Sequence, residues 1–304
     1  MAADIPVIVN ARSGTGGAAD AATAIAAAFE ARGLHANVSV LPADDIAATV
    51  DRLVAEGASL IVAGGGDGTI NLVAAGMVDT SVSLGVLPLG TLNHFARDLG
   101  IAFDIDAAVR VIAENHSIVV DAGEVNGRIF LNNSSMGLYP RIVADREHAR
   151  KHLGLGKWPA LARATWLALR DPSSFNAVVC VDGKDLQRRT PFIFVGNNSY
   201  VLEGFGIGQR ARLDAGVLSL YVLRPKSTMG LLWLGFRALL GIGSQRKDFD
   251  SFEATEFHVE SQHPNIEVAT DGELADLPTP VRYRIRPGAL RVLAPRPEAS
   301  EVNP

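Results

Sequence analysis

Short apolar runs closed by polar or glycine-rich turns, each followed by helical spacing, recur through the first third of the chain. Residues 6–10 read as a strand that ends in the turn Ala11-Arg12-Ser13-Gly14-Thr15-Gly16-Gly17, and an alanine-rich helix follows to about Arg32. Residues 36–41 predict a second strand, with a helix from Asp44 or Asp45 to about Gly57. Residues 60–63 predict a third strand, followed by helical spacing over 70–77; residues 83–88 predict a fourth, and 105–115 a helix. Alternating strands and helices argue for a parallel sheet flanked by helices. Beyond Ile118 the rhythm turns to strands at 119–126, 128–134, 175–181, 191–197, 217–223, 253–260, 266–270, 281–285 and 289–293. Asn126-Gly127 and Asp182-Gly183 are tight-turn signals between them. Two helical stretches, 146–169 and 226–240, interrupt this part; the second is apolar nearly all round, which reads as buried.

The expected fold is therefore α/β plus β-rich. A three-layer α/β domain with a parallel sheet (1–118) precedes a mainly antiparallel β-sandwich domain with inserted helices (119–288). A terminal segment (289–304) returns a strand to the first domain and ends in a disordered tail.

Composition narrows the classes. The chain has 304 residues, 48% hydrophobic and 20% charged, which is ordinary for a globular protein with a substantial core. The net charge of −5 gives no electrostatic case for nucleic acid. One cysteine, Cys180, sits in an apolar run and reads as a small buried hydrophobe; with no second thiol, no disulfide forms within the chain, which favours a reducing, cytoplasmic setting. No signal-peptide pattern opens the sequence, and the apolar stretch 228–243 is short and carries Arg237, unlike a membrane span.

Candidate chemistry lies at the strand ends. Gly64-Gly65-Gly66-Asp67-Gly68-Thr69 joins a buried strand to the helix holding Asn71. Glycine loses the most backbone freedom on folding, so three in succession point to backbone approaching a ligand. Exposed N–H groups at a helix start suit phosphate, and an acid beside them suits hydrated Mg²⁺. No Gly-Lys-Ser/Thr closes the Asn10 turn and no Gly-x-Gly-x-x-Gly occurs there, which disfavours a Walker A loop or a dinucleotide fingerprint. Gly90-Thr91-Leu92-Asn93 follows the fourth strand toward the same edge. Thr270-Asp271-Gly272-Glu273 reads equally as a hairpin turn or as a site of paired acids; next to a phosphate site, one acid becomes a candidate general base.

Four blocks in this order resemble the diacylglycerol kinase catalytic-domain family, lipid kinases that include bacterial diacylglycerol kinases, sphingosine kinases and ceramide kinases. They are Val9-Asn10-Ala11-Arg12-Ser13-Gly14, Gly64 through Asn71, Pro88-Leu89-Gly90-Thr91-Leu92-Asn93-His94-Phe95-Ala96, and Asp271-Gly272-Glu273. Val120-Asp121-Ala122-Gly123-Glu124-Val125-Asn126-Gly127 with Phe130-Leu131-Asn132, and Ala211-Arg212-Leu213-Asp214-Ala215-Gly216-Val217-Leu218, extend the likeness over nearly the whole chain. The resemblance implies a two-domain kinase with its active site in the interdomain cleft. It implies that ATP is bound by Asn10, Ala11, Arg12, Ser13, Gly14, Gly64, Gly65, Gly66, Asp67, Gly68, Thr69, Asn71, Gly90, Thr91 and Asn93. It implies Glu273 as base with Asp271 supporting, and Asp67 organising catalytic Mg²⁺ with help from Asp121. In some bacterial members a structural metal sits where this chain has Asp214, but here Ala215 replaces the second carboxylate. Other departures are Ala11 where many relatives have proline and His94 where many have aspartate.

A lipid kinase must reach a membrane. Residues 141–170 hold seven Lys/Arg against two acids, with Trp158 and Trp166, and read equally as a surface-binding segment at the inner face of the membrane or as a packed helix with a solvated basic face. The expected partners are a lipid substrate at a membrane surface and, as an option left open, a second copy of the chain. The alternatives are a soluble kinase like NAD kinase and a non-catalytic nucleotide- or lipid-binding regulator of the same fold.

Overall fold

The computed structural model describes residues 4–13, 17–137, 175–181, 184–200, 210, 212–224 and 249–296. The expected helices at 146–169 and 226–240, the basic segment 141–170, the Asp182-Gly183 turn, Gly14 and the last eight residues lie outside them. The chain divides into two compact units: Met1–Val120 with Gly288–Pro304, and Asp121–Pro287.

In the first unit the elements run β1 (Ile5–Asn10), α1 (Ala18–Glu30), β2 (Ala36–Leu41), α2 (Ala43–Ala55), β3 (Leu60–Gly65), α3 (Asp67–Ala75), β4 (Ser83–Pro88), α4 (His94–Asp98) and α5 (Ile105–Glu114). β2, β1, β3 and β4 pair in that order, all parallel. The chain moves one way from β1 to β2 and the other way from β2 through β3 to β4. Right-handed crossovers then place α1 and α2 on opposite faces, and α1 packs with α5 while α2 packs with α3. Apolar side chains on both faces explain why β1, β3 and β4 read as continuous hydrophobic runs: Val7, Ile8, Val9, Ile61, Val62, Ala63, Leu84 and Leu87 are all buried. α5 is started by Asp104, whose side chain accepts from the Ala107 N–H at 2.9 Å.

β5 (Ser117–Val125) carries the chain out of the first unit, and the second unit continues with β6 (Arg128–Phe130), β7 (Asn133–Gly137), β8 (Phe175–Val181), β9 (Lys184–Thr190), β10 (Phe192–Asn197), β11 (Leu218–Leu223), β12 (Phe249–Ala254), β13 (Glu256–Ser261), β14 (Asn265–Thr270), β15 (Glu273–Pro278) and β16 (Val281–Leu293). A six-stranded antiparallel sheet runs β12-β11-β10-β7-β14-β15. β16 pairs antiparallel with β13, which pairs with β8 and β8 with β9. A core of Phe130, Met136, Ile193, Val195, Leu220, Val259 and Tyr283, among others, is buried in this unit. The far end of β16 belongs to the first unit, where Arg291 and Val292 pair in parallel with Ser83 and Leu84 of β4.

The expected single strand over 128–134 is two strands, broken at Leu131 and Asn132 because the Asp271 carboxylate takes the N–H groups of Leu131, Asn132 and Asn133. The expected strand over 253–260 is also two, β12 and β13, which pair in different sheets on either side of Thr255. The separate strands at 281–285 and 289–293 are one continuous β16. β9 and β15 lack a strong apolar run and were not expected as strands.

Candidate functional site: three turns in one unit and an acid hairpin in the other

The three turns predicted to face nucleotide lie at the carboxyl ends of β1, β3 and β4, where open parallel sheets bind ligands. β1 and β3 flank the point where the strand order reverses. The turns are tied together by short-range polar contacts. Asn10 at the end of β1 donates through Nδ2 to Thr69 Oγ1 on α3 at 3.1 Å and accepts the Arg12 N–H at 3.0 Å. The Ser13 N–H reaches back to the Asn10 carbonyl at 2.8 Å. Ala11 and Arg12 are exposed, and Thr69 is buried.

The glycines have a geometric cause. A Cβ on Gly65 would lie 2.5 Å from the Thr69 side chain, and one on Gly90 would lie 2.5 Å from the Gly66 Cα. The turns after β3 and β4 therefore approach backbone to backbone. Asn93 holds the second of them: it adopts a left-handed conformation (φ 47°), accepts the Gly90 N–H at 3.0 Å and donates to the Gly90 carbonyl at 2.9 Å. Thr91 and Leu92 stay exposed between these anchors. Gly66 precedes α3 in extended backbone and supplies no side-chain cap, which leaves the helix start suited to an external acceptor. Gly68 and Asn71 lie on α3 itself, and His94 opens α4 half-buried.

Asp67, the first residue of α3, accepts the Phe95 N–H through Oδ1 at 3.1 Å. It thereby joins α3 to the start of α4. A half-buried carboxylate in this position fits Mg²⁺ arriving with a nucleotide, because that ion keeps several waters and takes one or two carboxylates besides phosphate oxygens.

In the second unit Asp271 and Gly272 form the two-residue loop between β14 and β15, both at positive φ (48° and 88°), with Thr270 paired to Glu273. This is the turn in which Asp-Gly is favoured, as the hairpin reading of the segment expects. The Asp271 carboxylate accepts three backbone N–H groups: Leu131 at 2.7 Å, Asn132 at 2.9 Å and Asn133 at 3.0 Å. Burial pushes the Asp271 carboxyl up to about 6, against the pull of these three donors and of the Arg210 charge. Glu273 is exposed, and its side chain makes no hydrogen bond among the described residues. Partial burial raises its carboxyl above the ordinary value, and Arg128 acts in the opposite direction. The two acids are thus unlike: Asp271 is anchored through both oxygens and Glu273 is available.

Asp121 is buried, and its Oδ2 accepts the Gly216 N–H at 2.7 Å while its own N–H donates to the Leu213 carbonyl at 2.8 Å. Asp214 in that turn pairs with Arg212 at 3.0 Å, which holds its carboxyl below the usual range. Ala215 donates to Asn198 Oδ1 at 2.9 Å. These contacts make a hydrogen-bonded turn; no group of three His, Cys, Asp or Glu side chains able to hold an ion occurs among the described residues.

Sequence reasoning missed Asn197, Tyr200 and Arg210, which act on the Leu131–Asn133 backbone from distant positions. Asn132 in the Phe130-Leu131-Asn132 block was the nearest signal. No helix among the described residues is long and apolar enough to cross a membrane.

Residues 4–125 match the diacylglycerol kinase catalytic domain, and residues 148–294 match the YegS C-terminal NAD kinase beta sandwich-like domain. The chain is 32% identical over 256 residues to a probable lipid kinase YegS-like protein of Pseudomonas aeruginosa, covering 81% of this chain and 80% of the relative. It is 29% identical over 185 residues to a diacylglycerol kinase of Staphylococcus aureus, covering 60% and 58%. The fold is similar to a crystal structure of a diacylglycerol kinase from Bacillus anthracis, with a TM-score of 0.69 at 22% identity over 96% of this chain and 97% of the other. With one domain match over the parallel-sheet part, another over most of the antiparallel part and a relative spanning both, the chain belongs to the diacylglycerol kinase catalytic-domain family, with a C-terminal half of the YegS type, and is a kinase.

Proposed function

We propose that the protein phosphorylates a hydroxyl group of a lipid, diacylglycerol-like or sphingoid, using ATP and Mg²⁺. ATP is the co-substrate that membership of this kinase family implies. The observation that carries the reading is the contrast at the acid hairpin: the exposed Glu273 side chain makes no hydrogen bond among the described residues, two positions from an Asp271 whose two oxygens accept three N–H groups.

In this reading the turns after β1, β3 and β4 hold the triphosphate, with the start of α3 toward its negative charge. Bound Mg²⁺ supplies charge neutralisation on the phosphates. Glu273 accepts the proton of the lipid hydroxyl as the hydroxyl oxygen bonds to the γ-phosphorus. The bond from that phosphorus to the bridging oxygen breaks, and ADP departs with the electron pair. Asp271 fixes the turn from which Glu273 projects. The basic, tryptophan-bearing segment 141–170 is the candidate membrane contact, argued from sequence alone.

A panel of diacylglycerols, sphingoid bases and ceramides, offered in mixed micelles with γ-labelled ATP and Mg²⁺, tests this against NAD as acceptor. Label in a lipid is expected. Label in NAD, or ATP binding with no transfer to any acceptor, would replace this reading with the NAD kinase-like or the non-catalytic one.

A further inference from the structure

We propose that Arg210 is a positioning residue for the acid hairpin, the buried counter-charge that keeps Asp271 an acceptor and so fixes Glu273; the inference rests on the function proposed above. Arg210 is 5% exposed. Its guanidinium donates to the Leu131 carbonyl at 2.5 Å, to the Asn197 carbonyl at 3.1 Å and to Asn132 Oδ1 at 3.1 Å. It lies 5.6 Å from the centre of the Tyr200 ring. Asp271 takes the N–H groups of Leu131 and Asn132, two residues that Arg210 also holds, and of the next residue, Asn133.

The segment is gripped by opposite charges through opposite ends of its peptide dipoles. Neutral groups complete the hold on its carbonyls: Asn197 Nδ2 donates to Leu131 at 2.9 Å, and the Asn197 N–H and the Tyr200 hydroxyl both donate to Asn132 at 2.9 Å. In a low-dielectric interior a carboxylate without a counter-charge protonates. A protonated Asp271 would keep weaker bonds to the three N–H groups, and the Asp271-Gly272 loop carrying Glu273 would lose its anchor. Among the described residues, the charged groups that act here are Arg210, whose field reaches Asp271, and Arg128, which acts on Glu273 two residues on.

The test follows the Asp271 carboxyl directly, by carbon NMR of protein labelled at aspartate carboxyls, with Asp271→Asn to assign the signal. Arg210→Gln is expected to move the Asp271 titration to higher pH, and Arg210→Lys to move it part of the way. In the lipid-kinase assay kcat is expected to fall about 10- to 100-fold in Arg210→Gln with KM for ATP unchanged, the size of effect that small misplacements produce, and Arg210→Lys is expected to recover part of it. An unmoved titration in Arg210→Gln overturns the proposal, as does a loss expressed equally in KM for ATP. Should Arg210→Gln fail to fold, Arg210→Lys is compared with Tyr200→Phe, which loosens the same segment without moving a charge. The titration is expected to move only in Arg210→Lys, and equal titrations in the two variants overturn the proposal. Because the titration needs no substrate, it separates failure of this inference from failure of the proposed function.

Discussion

The two units hold their candidate residues by different means. In the first, the turns are joined by neutral contacts and close backbone approach: Asn10 to Thr69, Asn93 to Gly90, Gly90 against Gly66. Asp67 contributes a single carboxylate to a backbone N–H. In the second, a half-buried carboxylate and a buried guanidinium grip one backbone segment through its N–H groups and a carbonyl. Neutral geometry of the first kind accommodates a ligand that brings its own charge. Charged geometry of the second kind fixes a reactive group whose own proton affinity matters. On the proposed function, that difference divides the work: the first unit would recognise the nucleotide, and the second would control a proton.

Variants in the first unit should therefore act through nucleotide affinity, and variants in the second through turnover and its pH dependence. Asp67→Ala is expected to have the largest effect of those considered in the first unit, about 10²–10³-fold in kcat/KM, as for loss of a positioned electrostatic group. It also removes the acceptor at the start of α4, so melting should show a loss of about 1 kcal/mol. Wild-type turnover in Asp67→Ala would remove it from the chemistry. Gly90→Ala comes next. A Cβ there sits 2.5 Å from the Gly66 Cα, so the two turns must separate. Destabilisation of about 1–3 kcal/mol with weakened ATP binding by calorimetry is expected, and unchanged ATP affinity would show that the close approach does not serve the nucleotide.

Asn10→Ala breaks the side-chain ties to Thr69 and to the Arg12 N–H and should cost about 0.5–1.5 kcal/mol of stability for each. A rise in KM for ATP without a change in the pH profile would sharpen the comparison. A shifted pH profile would break it. The smallest effect lies in the second unit. Glu273 must be deprotonated to act as base, so activity is lost as pH falls through its titration. With its carboxyl raised, the acid limb of kcat/KM should lie above the ordinary glutamate value of 4.5. Arg128 lowers that carboxyl, so Arg128→Gln should move the limb to still higher pH; a move to lower pH would contradict the assignment.

The legibility of the two regions in sequence differs for the same physical reason. Close backbone approach demands glycine at fixed places, and the groups that exploit it follow within a few residues, so Gly64 through Thr69 and Gly90 through Asn93 are visible as contiguous blocks. β1, β3 and β4 were equally visible because burial on both faces makes them uninterrupted apolar runs. The charged grip leaves no such trace. Asp271 meets residues 131–133 across about 140 positions, and Arg210 meets Leu131 across 79. That grip is also why one expected strand over 128–134 is broken into two. Asp271-Gly272-Glu273 could be singled out, but its division into an anchored acid and an available one depends on donors that no local pattern announces.

The most direct measurement pairs ATP affinity with phosphoryl transfer to lipid in Glu273→Gln. The account predicts wild-type affinity for ATP and a rate of transfer lower by about 10²–10⁴-fold, the range for loss of a general base. Near-full transfer to lipid by Glu273→Gln, or a loss of ATP affinity equal to the loss of rate, would contradict it.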